Sequence, residues 1–283
     1  MKYHRIIPRL DIKGPNLVKG IHLEGLRVLG DPEKFAYNYY IKGADELIYQ
    51  DVVASLYQRN SLLGIVKRTS DSIFIPLTVG GGIRNLSDIN DVLRSGADKV
   101  AINTAAINNP KLINEASKTF GSSTIVISIE YIKQRDGSFL IYTDNGREST
   151  GIELFSWIKE VEDRGAGEVL LTSIDKEGTG KGGDVFTLKK ASSLINIPII
   201  GHGGIGSSSD IIDIFKNTHI DGVSISSLLH YEELKNINSD FRIKDEGNYS
   251  FLRKKQPSKL IKGITIESIK SSLINEDISV RCL

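Results

Sequence analysis

The amino-acid sequence predicts a closed barrel of eight alternating strands and helices, a (β/α)8 or TIM barrel with an internal half-barrel repeat. Three observations predict it: short apolar runs recur at even spacing, helical periodicity lies between them, and the two halves of the chain resemble each other. An open doubly wound sheet would share the alternation. It is disfavoured because the first apolar run is followed by DIKGPN rather than by a glycine-rich dinucleotide-binding turn.

The predicted strands are almost continuously apolar and rich in β-branched residues, which is typical of parallel strands covered by helices. They cover residues 5–11, 46–51, 73–80, 98–103, 123–130, 168–175, 195–201 and 221–226. Capping residues and glycines delimit the helical segments between the strands. Helices are predicted over residues 32–45, 86–98, 151–167, 184–196 and 264–275.

The internal repeat is visible in paired segments of the two halves. PLTVGGGI (76–83) resembles PIIGHGGI (198–205), and GADELIYQD (43–51) resembles GAGEVLLTS (165–173), both at an offset of 122 residues. A period of this length is too long for a solenoid. It predicts two half-barrels of four strand–helix units related by a pseudo-twofold axis.

Composition limits the function classes. Lys and Arg total 36 and Asp and Glu total 35, so a net charge of +1 argues against binding to nucleic acid or to an anionic membrane. The single cysteine, Cys282, excludes a disulfide framework and a cysteine-based zinc site. We expect a cytoplasmic protein without a metal or other cofactor. We also expect residues 1–283 to form one domain, in which the polar stretch 231–262 is an insertion before the last helix.

Each half of the chain carries a glycine-rich strand end and a polar pair at the next strand end. Glycine lets backbone N–H groups approach an anion, and the start of a helix favours negative charge. Glycines in these places also serve simple tight turns, but their occurrence in both halves predicts a substrate with a phosphate at each end. The first predicted site comprises Gly82, Asn103 and Thr104, and the second comprises Gly203, Gly204, Ser226 and Ser227.

Two carboxylates, Asp11 and Glu130, end the first strand of each half and are the candidate catalytic acid and base. The alternative is that they only cap hydrogen bonds of the barrel. Arg9 lies two residues before Asp11 on the same side of its strand, so a guanidinium inside the barrel would hold Asp11 as the anion. The glycine-containing segment 15–31, which carries Lys19, predicts a mobile loop that closes on substrate.

Four charged residues open strands and should point to the N-terminal end of the barrel. They are Arg5, Glu46, Lys99 and Glu168. Two cations and two anions can form a ring there. From the residues alone, a structural cluster of ion pairs is the favoured explanation of this ring, ahead of a functional role.

The chain resembles the cyclase subunit of imidazole glycerol phosphate synthase over nearly its whole length. The resemblance rests on LDIKG (10–14), LTVGGGI (77–83), GADKVAINTAA (96–106) and RGAGEVLLTSID (164–175). It implies a barrel that docks a glutaminase subunit at its N-terminal face and passes ammonia through its interior. At the mouth, ammonia would join a bis-phosphorylated ribulosyl substrate to give imidazole glycerol phosphate.

The resemblance also implies roles for individual residues. Asp11 matches the first catalytic carboxylate, and Lys19 matches a lysine of the active-site loop. The charged ring matches the ammonia gate. Phosphate binding is implied for Gly82, Asn103 and Thr104 in one half, and for Gly178, Gly203, Gly204, Ser226 and Ser227 in the other.

The departures from the family pattern lie in the mouth. Glu130 and Glu177 stand where aspartates are usual, Arg9 replaces a usual cysteine, and His202 replaces a usual serine. The gate and phosphate-binding residues are kept while the acid–base residues change. In this respect the chain is similar to paralogues from surface-polysaccharide clusters, which deliver ammonia to a sugar-amidating synthetase. The sequence therefore predicts glycosyl amidation, with a genuine histidine-pathway cyclase as the main alternative. Other phosphosugar barrels and a non-enzymatic scaffold for the glutaminase stay open.

Overall fold

The computed structural model describes residues 2–54, 62–236 and 261–282. The strands are β1 (Arg5–Lys13), β2 (Asn16–Ile21), β3 (Glu24–Gly30), β4 (Leu47–Asp51), β5 (Leu77–Gly80), β6 (Lys99–Ile102), β7 (Ile125–Lys133), β8 (Phe139–Thr143), β9 (Glu148–Glu153), β10 (Glu168–Ser173), β11 (Ile199–His202) and β12 (Gly222–Ile225). The helices are α1 (Pro32–Ile41), α2 (Leu63–Ser70), α3 (Leu86–Arg94), α4 (Thr104–Asn108), α5 (Lys111–Phe120), α6 (Leu154–Asp163), α7 (Val185–Ser192), α8 (Ser208–Asn217), α9 (Ser227–Asn236) and α10 (Ile266–Ile274).

Eight parallel strands close into the predicted barrel. They pair in the order β1, β4, β5, β6, β7, β10, β11, β12, and β12 returns to β1 with Arg5 opposite Gly222. The predicted strands 73–80 and 195–201 begin later than expected, at Leu77 and Ile199, because a proline stands before each of them and lacks the N–H that a ladder requires.

The half-barrel repeat is visible in two hairpins that the sequence did not predict. The β2–β3 hairpin extends β1, with Asp11 opposite Val18, and the β8–β9 hairpin extends β7, with Glu130 opposite Tyr142. Each hairpin therefore follows the first strand of its half. The catalytic candidates Asp11 and Glu130 lie at equivalent points, where each barrel strand passes into its hairpin.

Two of the expected secondary structures in these segments were wrong. The segment 15–31 forms the β2–β3 hairpin rather than an irregular loop, and its closure on substrate stays a prediction. Gly20 is needed where its strand crosses the partner, because a Cβ there would lie 2.0 Å from the Glu24 carbonyl oxygen. The segment 151–167 is not helical from its start. Its first residues complete β9, and Glu153 caps α6 by accepting the Ser156 N–H at 2.8 Å.

The core has three parts. The largest lies between the barrel wall and the helices, a second fills the barrel interior, and a small third part comprises Val18, Val28, Val52 and Val53. The interior part consists of Ile7, Ile48, Ala101, Val126, Leu170 and Ile200. Because side chains alternate along a strand, this layer is flanked by two polar layers that point the same way, one nearer each end of the barrel.

The predicted insertion 231–262 is only partly described. Residues 231–236 belong to α9, so the predicted insertion begins within a helix, while 237–260 lie outside the described residues. The last helix is confirmed as α10. In the described part of the chain, none of the helices combines the length and apolarity needed to cross a membrane.

Candidate active site

Four charged side chains form a closed ring across the N-terminal end of the barrel. The Arg5 guanidinium lies 2.7 Å from a Glu46 oxygen and 2.6 Å from a Glu168 oxygen. The Lys99 ammonium lies 3.1 Å from Glu46 and 2.9 Å from Glu168. Charges therefore alternate around the ring, and each carboxylate bridges both cations. The four side chains meet because their residues lie at the starts of β1, β4, β6 and β10.

Arg9 and Asp11 form a buried ion pair above the apolar interior layer. Arg9 Nε donates to Asp11 Oδ1 at 2.8 Å, and Arg9 Nη1 reaches across the barrel to Thr172 Oγ1 at 3.3 Å. Burial alone would raise the pKa of Asp11, but the Arg9 guanidinium and the Lys19 ammonium outweigh it and lower the pKa. The structure places the Arg9 guanidinium inside the barrel beside Asp11, which is the arrangement that the expectation required.

The pKa of Glu130 is shifted upwards, opposite to that of Asp11. Burial raises its pKa to about 7, and the nearby Asp11 carboxylate adds to this, against the lowering effects of Arg9 and of the Gly146 N–H. Its Oε2 atom is buried and has no hydrogen-bond partner in the described protein. Two carboxylates with pKa values displaced in opposite directions suit an acid and a base in one reaction.

The β2–β3 hairpin closes over one side of the mouth. Lys19 is 3% exposed, and its ammonium contacts Glu177 and lies 3.7 Å from Asp11 Oδ2. The Leu23 N–H at the hairpin turn donates to Glu177 Oε2 at 3.2 Å. Across the mouth, Asn145 Nδ2 donates to the Leu23 carbonyl at 3.2 Å, so the two hairpin turns contact each other.

The first predicted phosphate site lines a cavity of about 560 Å³. Gly82, Asn103 and Thr104 all lie in its wall, together with Glu130. The neighbouring Gly81 has φ +97°, and a Cβ there would lie 2.3 Å from the Asp51 carbonyl oxygen, so the turn requires glycine. This cavity is large enough for the phosphate and the adjoining part of a sugar.

The second predicted site is much smaller, about 20 Å³. Its five predicted residues line one cavity together with Glu177 and His202; they are Gly178, Gly203, Gly204, Ser226 and Ser227. Because His202 Nδ1 lies 2.9 Å from the Ser224 carbonyl, which only accepts, Nδ1 carries the proton. Burial, with Arg9 and Lys19 nearby, lowers the pKa of His202 to about 3, so its ring is neutral.

Several polar residues of the mouth were missed by sequence reasoning. Thr172 and Ser128 are buried inside the barrel, and Asp144 and Asn145 line the larger cavity from the β8–β9 turn. The sequence TDNG at 143–146 is a hairpin-turn signal that could have placed the last two. Buried side-chain atoms without a hydrogen-bond partner among the described residues gather here, including atoms of Gln50, Asn103, Glu130, His202 and Ser227.

Comparisons with known proteins show the family to which the chain is similar. The family model described as "Histidine biosynthesis protein" matches residues 5–235. An imidazole glycerol phosphate synthase subunit HisF from Legionella pneumophila is 57% identical over 202 residues, covering 71% of this chain and 95% of that protein. A protein of the same name from Streptococcus mutans is 42% identical over 243 residues, covering 86% of this chain and 97% of the relative.

Proposed function

The chain belongs to the histidine biosynthesis protein family, and on that premise we propose that it is the ammonia-accepting cyclase subunit of an imidazole glycerol phosphate synthase. In this proposal a glutaminase subunit supplies ammonia at the N-terminal face. A bis-phosphorylated ribulosyl substrate receives it at the C-terminal mouth. The names of the relatives support this alternative better than the polysaccharide role that the sequence first favoured.

The observation that carries the proposal is the layered interior of the barrel. A ring of alternating charges at one end is followed by an apolar layer and then by a polar mouth with two carboxylates. An apolar layer excludes the ammonium ion, because burying an unpaired charge costs a great deal of free energy, but a neutral ammonia molecule can pass. In this proposal, ammonia crosses the apolar layer from the N-terminal face, where a glutaminase would bind, to the mouth, where it would react.

The N-terminal face has features that suit a docked subunit. Phe74 is 81% exposed and its ring lies 6.1 Å from that of Tyr40. A surface cavity of about 370 Å³ beside it is lined by Phe74, Leu77 and Asp98, at the starts of β5 and β6. Exposed aromatic residues next to a cavity are typical of interface anchors. This face also carries the charged ring, so a glutaminase bound here would release ammonia at its entrance.

A second candidate function is delivery of ammonia to a sugar-amidating synthetase without cyclisation. One specific observation favours it: the Arg9 side chain pairs with Asp11 and lowers the pKa of this carboxyl, which weakens Asp11 as a proton donor or acceptor. Passage of ammonia needs neither mouth carboxylate. Both candidates share the glutaminase and the charged ring.

The deciding experiment assays imidazole glycerol phosphate. The purified chain is mixed with the bis-phosphorylated ribulosyl substrate and an ammonium salt, and then with a glutaminase subunit and glutamine. Cyclase function predicts product in both assays at ordinary enzyme rates, roughly 1 per second or more. If a glutaminase binds but no imidazole product forms from either ammonia source, the second candidate replaces the first.

A further inference from the structure

The two phosphate subsites are related by the internal repeat but differ strongly in free space. His202 is the repeat equivalent of Gly80, which lies 122 residues earlier. The second half therefore has an imidazole at the position where the first half has no side chain. The cavity volumes are about 560 Å³ in the first half and about 20 Å³ in the second. The smaller cavity holds about one water molecule, not a phosphate group.

Glu177 supplies a negative charge at this second subsite. Its side chain is 1% exposed and lines the small cavity. One carboxylate oxygen contacts the Lys19 ammonium, and the other accepts the Leu23 N–H at 3.2 Å. The carboxylate thus occupies two donors of the β2–β3 hairpin that face the mouth.

His202 strengthens this assignment because it offers no positive charge to an incoming anion. Its Nε2 atom is a buried acceptor without a hydrogen-bond partner among the described residues and lies 4.0 Å from Glu177 Oε1. A phosphate placed against Gly203 and Gly204 would meet a carboxylate and a nitrogen lone pair. Like charges this close repel strongly in a buried site.

We propose that Glu177 is an intramolecular competitor for the anion of the second phosphate subsite. An anion binds there only when the Glu177 carboxylate leaves Lys19 and the Leu23 N–H, so occupancy of the subsite is coupled to release of the β2–β3 hairpin. The inference rests on the proposed function for the identity of the natural ligand. The competition itself is tested with inorganic phosphate, on the chain alone and without any assay of activity.

The test is a phosphate titration followed by NMR of assigned backbone amides. Gly82 and Thr104 report the first subsite, and Gly204 and Ser227 report the second. In the natural protein we expect the first-subsite amides to titrate at about tenfold lower phosphate concentration than the second-subsite amides, or lower still. In Glu177→Gln the second-subsite affinity should rise about tenfold, with the first unchanged. Equal affinity of both subsites in the natural protein would overturn the proposal.

The matched control is Asp175→Asn, which removes the same charge two residues away. Asp175 is exposed and does not line the second cavity. The competition model predicts that this control leaves the second-subsite affinity unchanged. The same gain in Asp175→Asn as in Glu177→Gln, or no gain in Glu177→Gln, would show that Glu177 does not compete.

The hairpin coupling has its own readout. Phosphate that saturates the second subsite should speed hydrogen exchange of the Leu23 amide several-fold, because its acceptor has moved away. Phosphate that shifts Gly204 and Ser227 without changing this exchange would refute the coupling. If Glu177→Gln does not fold, Glu177→Asp replaces it. This variant keeps a charge on a shorter side chain and should give a smaller gain in affinity; no gain would again refute the proposal.

Discussion

Arg9 and Asp11 form an ion pair within one strand, with Arg9 Nε 2.8 Å from Asp11 Oδ1 and both side chains buried. The alternation of a strand places residues two apart on the same side, here the barrel interior. Burial of a lone carboxylate would favour its neutral form, yet the guanidinium keeps Asp11 ionised and lowers its pKa. The protonation state of Asp11, the first catalytic candidate, therefore depends on Arg9, its neighbour on the same strand.

Replacing Arg9 by Met should destabilise the fold and raise the pKa of Asp11. The variant leaves a buried carboxylate with the Lys19 ammonium 3.7 Å away as its nearest described cation. Loss of one member of a buried ion pair typically costs about 3 kcal/mol of unfolding free energy. Urea denaturation measures the free energy, and NMR titration of the Asp11 carboxyl measures the pKa.

The Arg9→Met/Asp11→Asn double variant is the control for this prediction. Because it removes both charges, it should recover most of the stability that the single variant loses. If Arg9→Met were as stable as the natural protein and the pKa of Asp11 did not move, the ion pair would contribute nothing to either property.

Glu130 should make the stability of the protein fall with rising pH. Burial raises its pKa from the ordinary 4.5 to about 7. A group whose pKa is higher in the folded state stabilises the fold while it is protonated. That contribution is complete below the unfolded pKa and is lost as the pH rises through the folded one. From about pH 5 to about pH 8, the loss is about 2 kcal/mol.

Glu130→Gln isolates this effect, because the amide keeps the shape of the side chain but does not titrate in this range. The unfolding free energy of the natural protein relative to the variant should fall by about 2 kcal/mol from about pH 5 to about pH 8. Glu148→Gln, which removes an exposed carboxylate from the same half-barrel, is the matched control. A difference between the natural protein and Glu130→Gln that is constant over this pH range would contradict the prediction.

The contact between the two hairpin turns should limit the opening of the mouth. Asn145 Nδ2 donates to the Leu23 carbonyl at 3.2 Å, and Asn145 has φ 59°. Asn145→Gly removes the side-chain donor. Because glycine adopts this backbone conformation readily, backbone strain does not contribute to the measured change. We expect several-fold faster hydrogen exchange in β2 and β3, because loss of this hydrogen bond lowers the free energy of local opening by about 1 kcal/mol. Amides of β11 serve as the internal reference, and unchanged exchange in β2 would exclude the restraint.

The fold could be predicted from the sequence because its strands are short apolar runs with clear ends. The two hairpins were missed for a local reason. Gly20, Gly25 and Gly30 are typical of a loop, but here Gly20 lies at a close strand crossing, and Gly25 and Gly30 adopt positive φ within β3. In the second hairpin, β9 runs directly into α6, so residues of a strand were assigned to the helix.

The site was predictable where its residues end barrel strands, since the topology alone brings those positions together. The Arg9–Asp11 pair followed from strand alternation. The contact of Glu177 with Lys19 and Leu23 could not be predicted, because it joins segments more than 150 residues apart through the path of an unrecognised hairpin. The difference in volume between the two phosphate subsites likewise depends on side-chain packing that a sequence repeat does not reveal.

Changing Lys99 to Met should separate the use of glutamine from the use of free ammonium. Lys99 Nζ bridges Glu46 at 3.1 Å and Glu168 at 2.9 Å, and without it two buried carboxylates share the single cation of Arg5. In the proposed function, ammonia from a glutaminase crosses this ring, whereas ammonium from solution reaches the mouth directly. We expect product formation from glutamine to fall about tenfold while product formation from ammonium salt stays unchanged.

Lys99→Arg, which keeps the charge, should retain more of the glutamine-dependent activity than Lys99→Met. Urea denaturation of both variants shows whether the barrel is intact. Equal loss with both ammonia sources would assign the ring a purely structural role.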